Sequence, residues 1–138
     1  MAATKIIAAC MMLASQTYDV PPALLAGIYK AEGGKVGQQV ENTNGSYDLG
    51  PMQINTIWLP ELSKKWGINI DAAHKLLRDD ACTNVDVAAM ILRGHIDETH
   101  SLSSALKHYH SRTPKYGNKY KDRVLRLMKD NGLLRTTR

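Results

Sequence analysis

The sequence contains no phenylalanine. Six tyrosines and two tryptophans supply its aromatics, so every six-membered ring comes with a polar atom. Such rings suit a sugar face or a half-buried surface better than a dry core. Cysteine is scarce, with only Cys10 and Cys82, and neither a CxxC nor a Cys/His zinc spacing occurs. The pair fits one disulfide in an exported protein or two buried thiols in a cytosolic one. No apolar run is long enough to span a membrane, so stable membrane insertion is not expected. There is no repeat, low-complexity tract or interdomain linker. The stretch "KIIAACMMLAS" looks like a short signal core, but only Ile6 to Ala9 separate Lys5 from Cys10, too few for a lipoprotein signal. Residues 2–17 are therefore read as the first helix, and an export signal is expected outside this sequence.

Acidic residues are the scarcer sign, 13 against 18 lysines and arginines, giving a net charge of +5. A basic surface could meet nucleic acid, anionic lipid or an acidic polymer such as a cell wall. The densest basic stretch, residues 115–138, reads most simply as a solvated helix face and a frayed tail. Nothing else supports nucleic-acid binding. His95, His100, His108 and His110 sit on or between two helices without a recognised ligand motif, so no metal or cofactor is expected.

At 138 residues, 43% hydrophobic and 22% charged, the chain reads as one soluble domain spanning 1–138. Its periodicity predicts a run of short helices. Residues 4–17 carry Ile6, Ile7, Cys10, Leu13 and Ala14 at helical spacing. Asp19 is placed to cap a second helix that opens on Pro21 and Pro22, reaches about Glu32 and stops at Gly33 and Gly34. Residues 35–50, rich in Gly, Asn, Gln and Ser, predict an irregular insertion or a small hairpin around "NTNGS". Short helices are expected at 51–58, 59–66 and, capped by Asp71, 72–77. Thr83 starts a stronger one through Val85, Ala88, Ala89, Leu92 and Ile96. Ser101 caps a helix bearing Leu102, Ala105, Leu106 and Tyr109. The last runs over about 116–131 with Tyr120, Val124, Leu127 and Met128, and Gly132 ends it.

Glu32 stands out chemically. Ile28, one turn earlier, lies on the same stripe, so the carboxyl should point inward or into a cleft. The negative end of the helix dipole and the apolar surroundings both oppose its ionisation. A carboxylic acid protonated near neutral pH is what a general acid requires. The glycines that follow would leave room for a ligand.

"AEGG", followed by "NTNGSYDLGPMQIN" and Trp58, resembles the core of the lysozyme-like superfamily. In detail it is similar to the soluble lytic transglycosylases, closest to the small specialised kind associated with secretion, conjugation and pilus machines. "CMMLASQTYDVPPALLAGIYKAEGG", "WLPELSKKWGI", "LLRDDACTNVDVAAMIL" and "ALKHYHSRTPKYGNKYKDRV" extend the resemblance over nearly the whole chain. It implies a mainly α, lysozyme-like α+β fold. It implies that Glu32 is the single catalytic acid/base, that Met52 and Gln53 line the sugar site, and that Tyr109 lies beside the acid. Tyr120 and Val124 match the late "Y-x-x-x-V" element, and Cys10 and Cys82 match positions commonly bridged. Three positions depart from the pattern: Gly33 replaces a serine, Pro51 a leucine, and His110 an asparagine.

The implied activity is peptidoglycan cleavage by a periplasmic or exported monomer, with glycan strands and an assembly machine as partners. Protonated Glu32 would break the β-1,4 bond after N-acetylmuramic acid and leave a 1,6-anhydro end. Asp48, 16 residues after Glu32 in "GSYDLG", supports a rival. Animal-type lysozymes resemble this stretch, and two carboxylates about 5 Å apart suit retaining hydrolysis. Asp48 reads more simply as a turn residue holding nearby backbone N–H groups. Gly50 and Pro51 would turn Met52 and Gln53 toward the cleft, Met52 offering an apolar surface to a sugar. Gln53 could instead tie down its own loop. Asn55 is expected to be structural and Trp58 to be core. Tyr116 and Tyr120 suit either sugar stacking or packing of the last helix. A binding relative without turnover is the remaining alternative.

Overall fold

The computed structural model describes residues 2–110 and 114–134. Seven helices and a three-stranded antiparallel sheet are present among them, in a mainly α, lysozyme-like fold. The helices are α1 (Ala2–Tyr18), α2 (Pro22–Glu32), α3 (Leu59–Trp66), α4 (Ile70–Asp79), α5 (Ala81–Thr99), α6 (Leu102–His110) and α7 (Pro114–Asp130). The strands β1 (Gln39–Glu41), β2 (Tyr47–Leu49) and β3 (Ile54–Asn55) lie between α2 and α3, followed by a single 3-10 turn at Thr56–Trp58.

α5 is the central element. Val85, Val87, Ala88, Ala89, Ile91 and Leu92 are buried on several sides of it, as expected of a helix enclosed by others. It packs against α1, α4, α6 and α2. α7 lies along α2 and α6, with Val124 and Met128 buried. Cys10 and Cys82 form a disulfide that ties α1 to the start of α5. No described helix is long and apolar enough to cross a membrane. On α7, Lys119, Arg126 and Lys129 are exposed, in keeping with a solvated basic face, whereas residues 135–138 of the expected tail lie outside the described residues.

Several boundaries differ from the periodicity reading. Asp19 does not cap α2; it has φ 53°, and the helix opens on prolines without a side-chain cap. Asn69 rather than Asp71 caps α4, accepting from the Ala72 N–H. Asp80 caps α5, accepting from the Thr83 N–H and hydroxyl, so the helix begins before Thr83. Ser101 does cap α6, through the Ser104 N–H.

The insertion is a meander. β1 pairs with β2, and β2 with β3, with Asp48 opposite both Val40 and Asn55. The β1–β2 turn is closed by the Asn42 N–H on the Ser46 carbonyl and by Asn44 Oδ1, which accepts from both the Ser46 N–H and its hydroxyl. The helix expected at 51–58 does not form. Gly50 and Gln53 both adopt left-handed backbone, φ 70° and 53°, which breaks helical progression, and Asn55 Oδ1 caps the 3-10 turn through the Ile57 N–H.

Candidate active site

Glu32 is the last residue of α2. Gly33, at φ 65°, closes the helix by donating its N–H to the Tyr29 carbonyl. Ile28 and Ala31 are buried, which carries Glu32 to the edge of the core, half-buried. Burial pushes its carboxyl up from 4.5 to about 7. The Tyr120 hydroxyl and the Arg123 guanidinium pull the other way, and the Asp48 charge adds to the rise. Arg123 is held in place by donating from Nη2 to the Ala31 carbonyl at 2.6 Å. The Tyr120 hydroxyl is buried beside Glu32, yet it has no partner at full hydrogen-bond geometry among the described residues. Burial and the neighbouring carboxylate push that phenol well above its ordinary range, so it stays protonated.

The turn after β2 fits against this acid through two glycines. A Cβ on Gly34 would lie 2.1 Å from the Gly50 carbonyl oxygen, and one on Gly50 would lie 2.4 Å from Asn84 Nδ2. Gly34 therefore makes room for the protein's own turn rather than for a ligand. Asn84, fully buried on α5, fixes the turn from below. Its Oδ1 accepts from the Met52 N–H at 2.8 Å, and its Nδ2 donates to the Leu49 and Leu77 carbonyls at 2.8 and 3.0 Å.

This anchoring corrects the expectation for Met52. Its N–H points down to Asn84 and its side chain is fully buried in the core, so it offers no surface to a sugar. Gln53 does reach the cleft, while its Nε2 donates to the Gly50 carbonyl at 2.9 Å, tying down its own loop. The Tyr109 hydroxyl donates to the Met52 carbonyl at 3.0 Å, linking α6 to the turn. Burial raises the Tyr109 phenol well above its ordinary value, with Glu32 and Asp48 adding to the effect.

A cleft of about 570 Å³ runs over these groups. Glu32, Asp48, Gln53 and Tyr109 line it together with the hairpin residues Asn42, Asn44 and Ser46. Asn55, expected to be structural, and Trp58, expected to be core and packed half-buried against it, also reach its wall. Asp48 lies in β2 rather than a turn, and its Oδ1 accepts from the Asn55 side chain at 3.0 Å instead of from backbone. Tyr120 does not line the cleft; it stacks beneath His110 at 4.6 Å between ring centroids and beside Tyr109 at 6.4 Å. His110 does line it; burial and Arg123 lower its pKa, and Asp48 opposes them.

The chain is also similar to known proteins. The family model described as "Transglycosylase SLT domain" matches residues 9–124. The chain belongs to this SLT domain family. Three curated relatives carry the name "Invasion protein IagB": two from Salmonella typhimurium strains, SL1344 and LT2, and one from Salmonella typhi. Each is 38% identical over 84 residues, which is 60% of this chain and 49% of the relative. The match therefore spans about half the length of those relatives.

Within this SLT domain, the site residues that periodicity and motif missed are Asn84 and Arg123. A signal existed for Asn84. Asn84, Ala88, Ile91 and His95 recur at helical spacing on α5, and a polar residue heading an apolar row is a buried-amide signature. Arg123 sits among the basic residues of α7, and only the fold distinguishes it from them. The histidines, which carry no motif, separate into different roles. His100 ends α5 at φ 58°, His110 covers Tyr120, and His95 and His108 line the cleft with their rings 5.8 Å apart.

Proposed function

We propose that this SLT domain cleaves peptidoglycan glycan strands as a lytic transglycosylase, with Glu32 as its single acid/base. The observation that carries this is a carboxyl raised to about 7 in the wall of a cleft large enough for sugars. A group with that pKa is populated in both forms near neutrality, as a residue that first gives and later takes a proton requires. Protonated Glu32 donates to the oxygen bridging N-acetylmuramic acid to N-acetylglucosamine, and the C1–O bond breaks. The muramoyl 2-acetamido group supports the positive charge developing at C1. The Glu32 carboxylate then removes the proton of the same sugar's C6 hydroxyl as its oxygen bonds to C1, closing a 1,6-anhydro ring. The leaving sugar departs with the first proton, and no water is consumed. Arg123 and Tyr120 keep the carboxylate form accessible for the second half, and Gln53 and Tyr109 position the sugar.

A second reading rests on Asp48, which shares the cleft and raises the Glu32 pKa electrostatically. In that reading Asp48 serves as the second carboxylate of a retaining hydrolase. Its hydrogen bond from Asn55 and membership of the SLT family favour a structural role instead. Turnover of purified peptidoglycan separates the two. The expected result is that Glu32→Gln abolishes solubilisation while Asp48→Asn keeps activity within about tenfold. New reducing ends in the wild-type products, lost together with Asp48→Asn, would establish the hydrolase.

The same reading places the protein in an exported, wall-facing compartment, where the Cys10–Cys82 disulfide is stable. The sequence resemblance to the small specialised transglycosylases supports service to a secretion, conjugation or pilus assembly apparatus, and the similar Salmonella proteins are named as invasion proteins.

A further inference from the structure

The α5–α6 wall of the cleft carries a group of side chains that glycan cleavage does not use. His95 and Glu98 are three residues apart on one face of α5, with His95 Nδ1 3.5 Å from Glu98 Oε1. His108 faces them from α6, its ring nearly perpendicular to that of His95 at 87°. One ligand atom from each of the three residues lies within 4.8 Å of the others. His108 Nδ1 is buried and lacks a hydrogen-bond partner among the described residues. A buried imidazole nitrogen without a partner needs an explanation, and a bound cation is one.

We propose that His95, Glu98 and His108 bind one divalent transition-metal ion of the zinc class. Two imidazoles and one carboxylate select zinc-like ions over magnesium or calcium, which prefer oxygen donors alone. Around a four-coordinate zinc ion, donor atoms sit about 3.3–3.5 Å apart. The ligand atoms, now within 4.8 Å of one another, must draw in by about 1.5 Å to reach that spacing. Thiolates do not compete, because both cysteines are in the disulfide. Three protein ligands leave a coordination position open, and His95 and His108 belong to the same cleft as Glu32, so metal and glycan share one wall.

The test is direct titration of the chelator-stripped chain with zinc chloride and cobalt chloride, independent of any enzymatic activity. One ion per chain should bind, cobalt should show the visible bands of a low-coordinate site, and magnesium should not bind. His108→Ala should weaken zinc affinity by more than about tenfold. Glu98→Gln, at a half-exposed side chain, should weaken it similarly and carries the test if His108→Ala does not fold. His74→Ala, outside the cleft and paired with Gln39, should leave it unchanged. Zinc binding weaker than about 0.1 mM, affinity indifferent to His108 and Glu98, or loss with His74→Ala alone would overturn the proposal.

Discussion

A carboxylate at the end of α2 works against the fold that holds it. Burial raises the Glu32 pKa from 4.5 to about 7. Between those values the native chain keeps a proton that the unfolded chain has released, so stability falls as pH rises through the window and levels off above it. A shift of that size corresponds to about 3 kcal/mol at the upper plateau. Glu32→Gln, which stays neutral, should therefore raise the melting temperature by about 10 °C near pH 8 and change it little near pH 4. Calorimetry at the two pH values checks this; equal melting temperatures near pH 8 would mean the acid is not desolvated. The helix stripe and the dipole foreshadow this shift in the sequence. The opposing groups, Tyr120 and Arg123, sit on α7, about ninety residues away in sequence, where local spacing carries no information about Glu32.

At the scale of elements, the site depends on how the β2–β3 turn is seated. Asn84→Ala would strip partners from the Met52 N–H and from the Leu49 and Leu77 carbonyls in a dry environment. Each orphaned group costs about 1–3 kcal/mol, so a loss of at least about 3 kcal/mol is expected, seen as a lower urea midpoint with unchanged slope. A change below about 1 kcal/mol would show that the turn stands without its anchor. The hairpin around "NTNGS" was legible because Asn and Gly turn chemistry is local. The helix expected at 51–58 was not, because the left-handed residues Gly50 and Gln53 and the pairing of β3 with β2 decide that segment. Met52 was misread for the same reason: its motif names the residue, and only the turn's seating on Asn84 says which way the side chain points.

Across the whole molecule, the disulfide bridges residues 72 apart and joins the first helix to the central one. Closing a loop of that length restricts the unfolded chain by about 4 kcal/mol. Reduction, or Cys10→Ser with Cys82→Ser, should lower stability by about that amount while leaving the cleft chemistry intact once folded. A reduced chain as stable as the oxidised one would contradict the placement of this bridge. The bridge itself came from family resemblance, since two cysteines alone fit thiols equally well. The helical architecture was legible from periodicity, while the cleft was not, since it gathers side chains from α2, the meander, α5 and α6. The most direct measurement is mass analysis of the muropeptides released from purified peptidoglycan by the wild-type chain. Proton donation and recapture by Glu32 predicts anhydro-ended products, one water lighter than hydrolysis products, and none from Glu32→Gln. New reducing ends in place of anhydro ends, or undiminished release by Glu32→Gln, would contradict it.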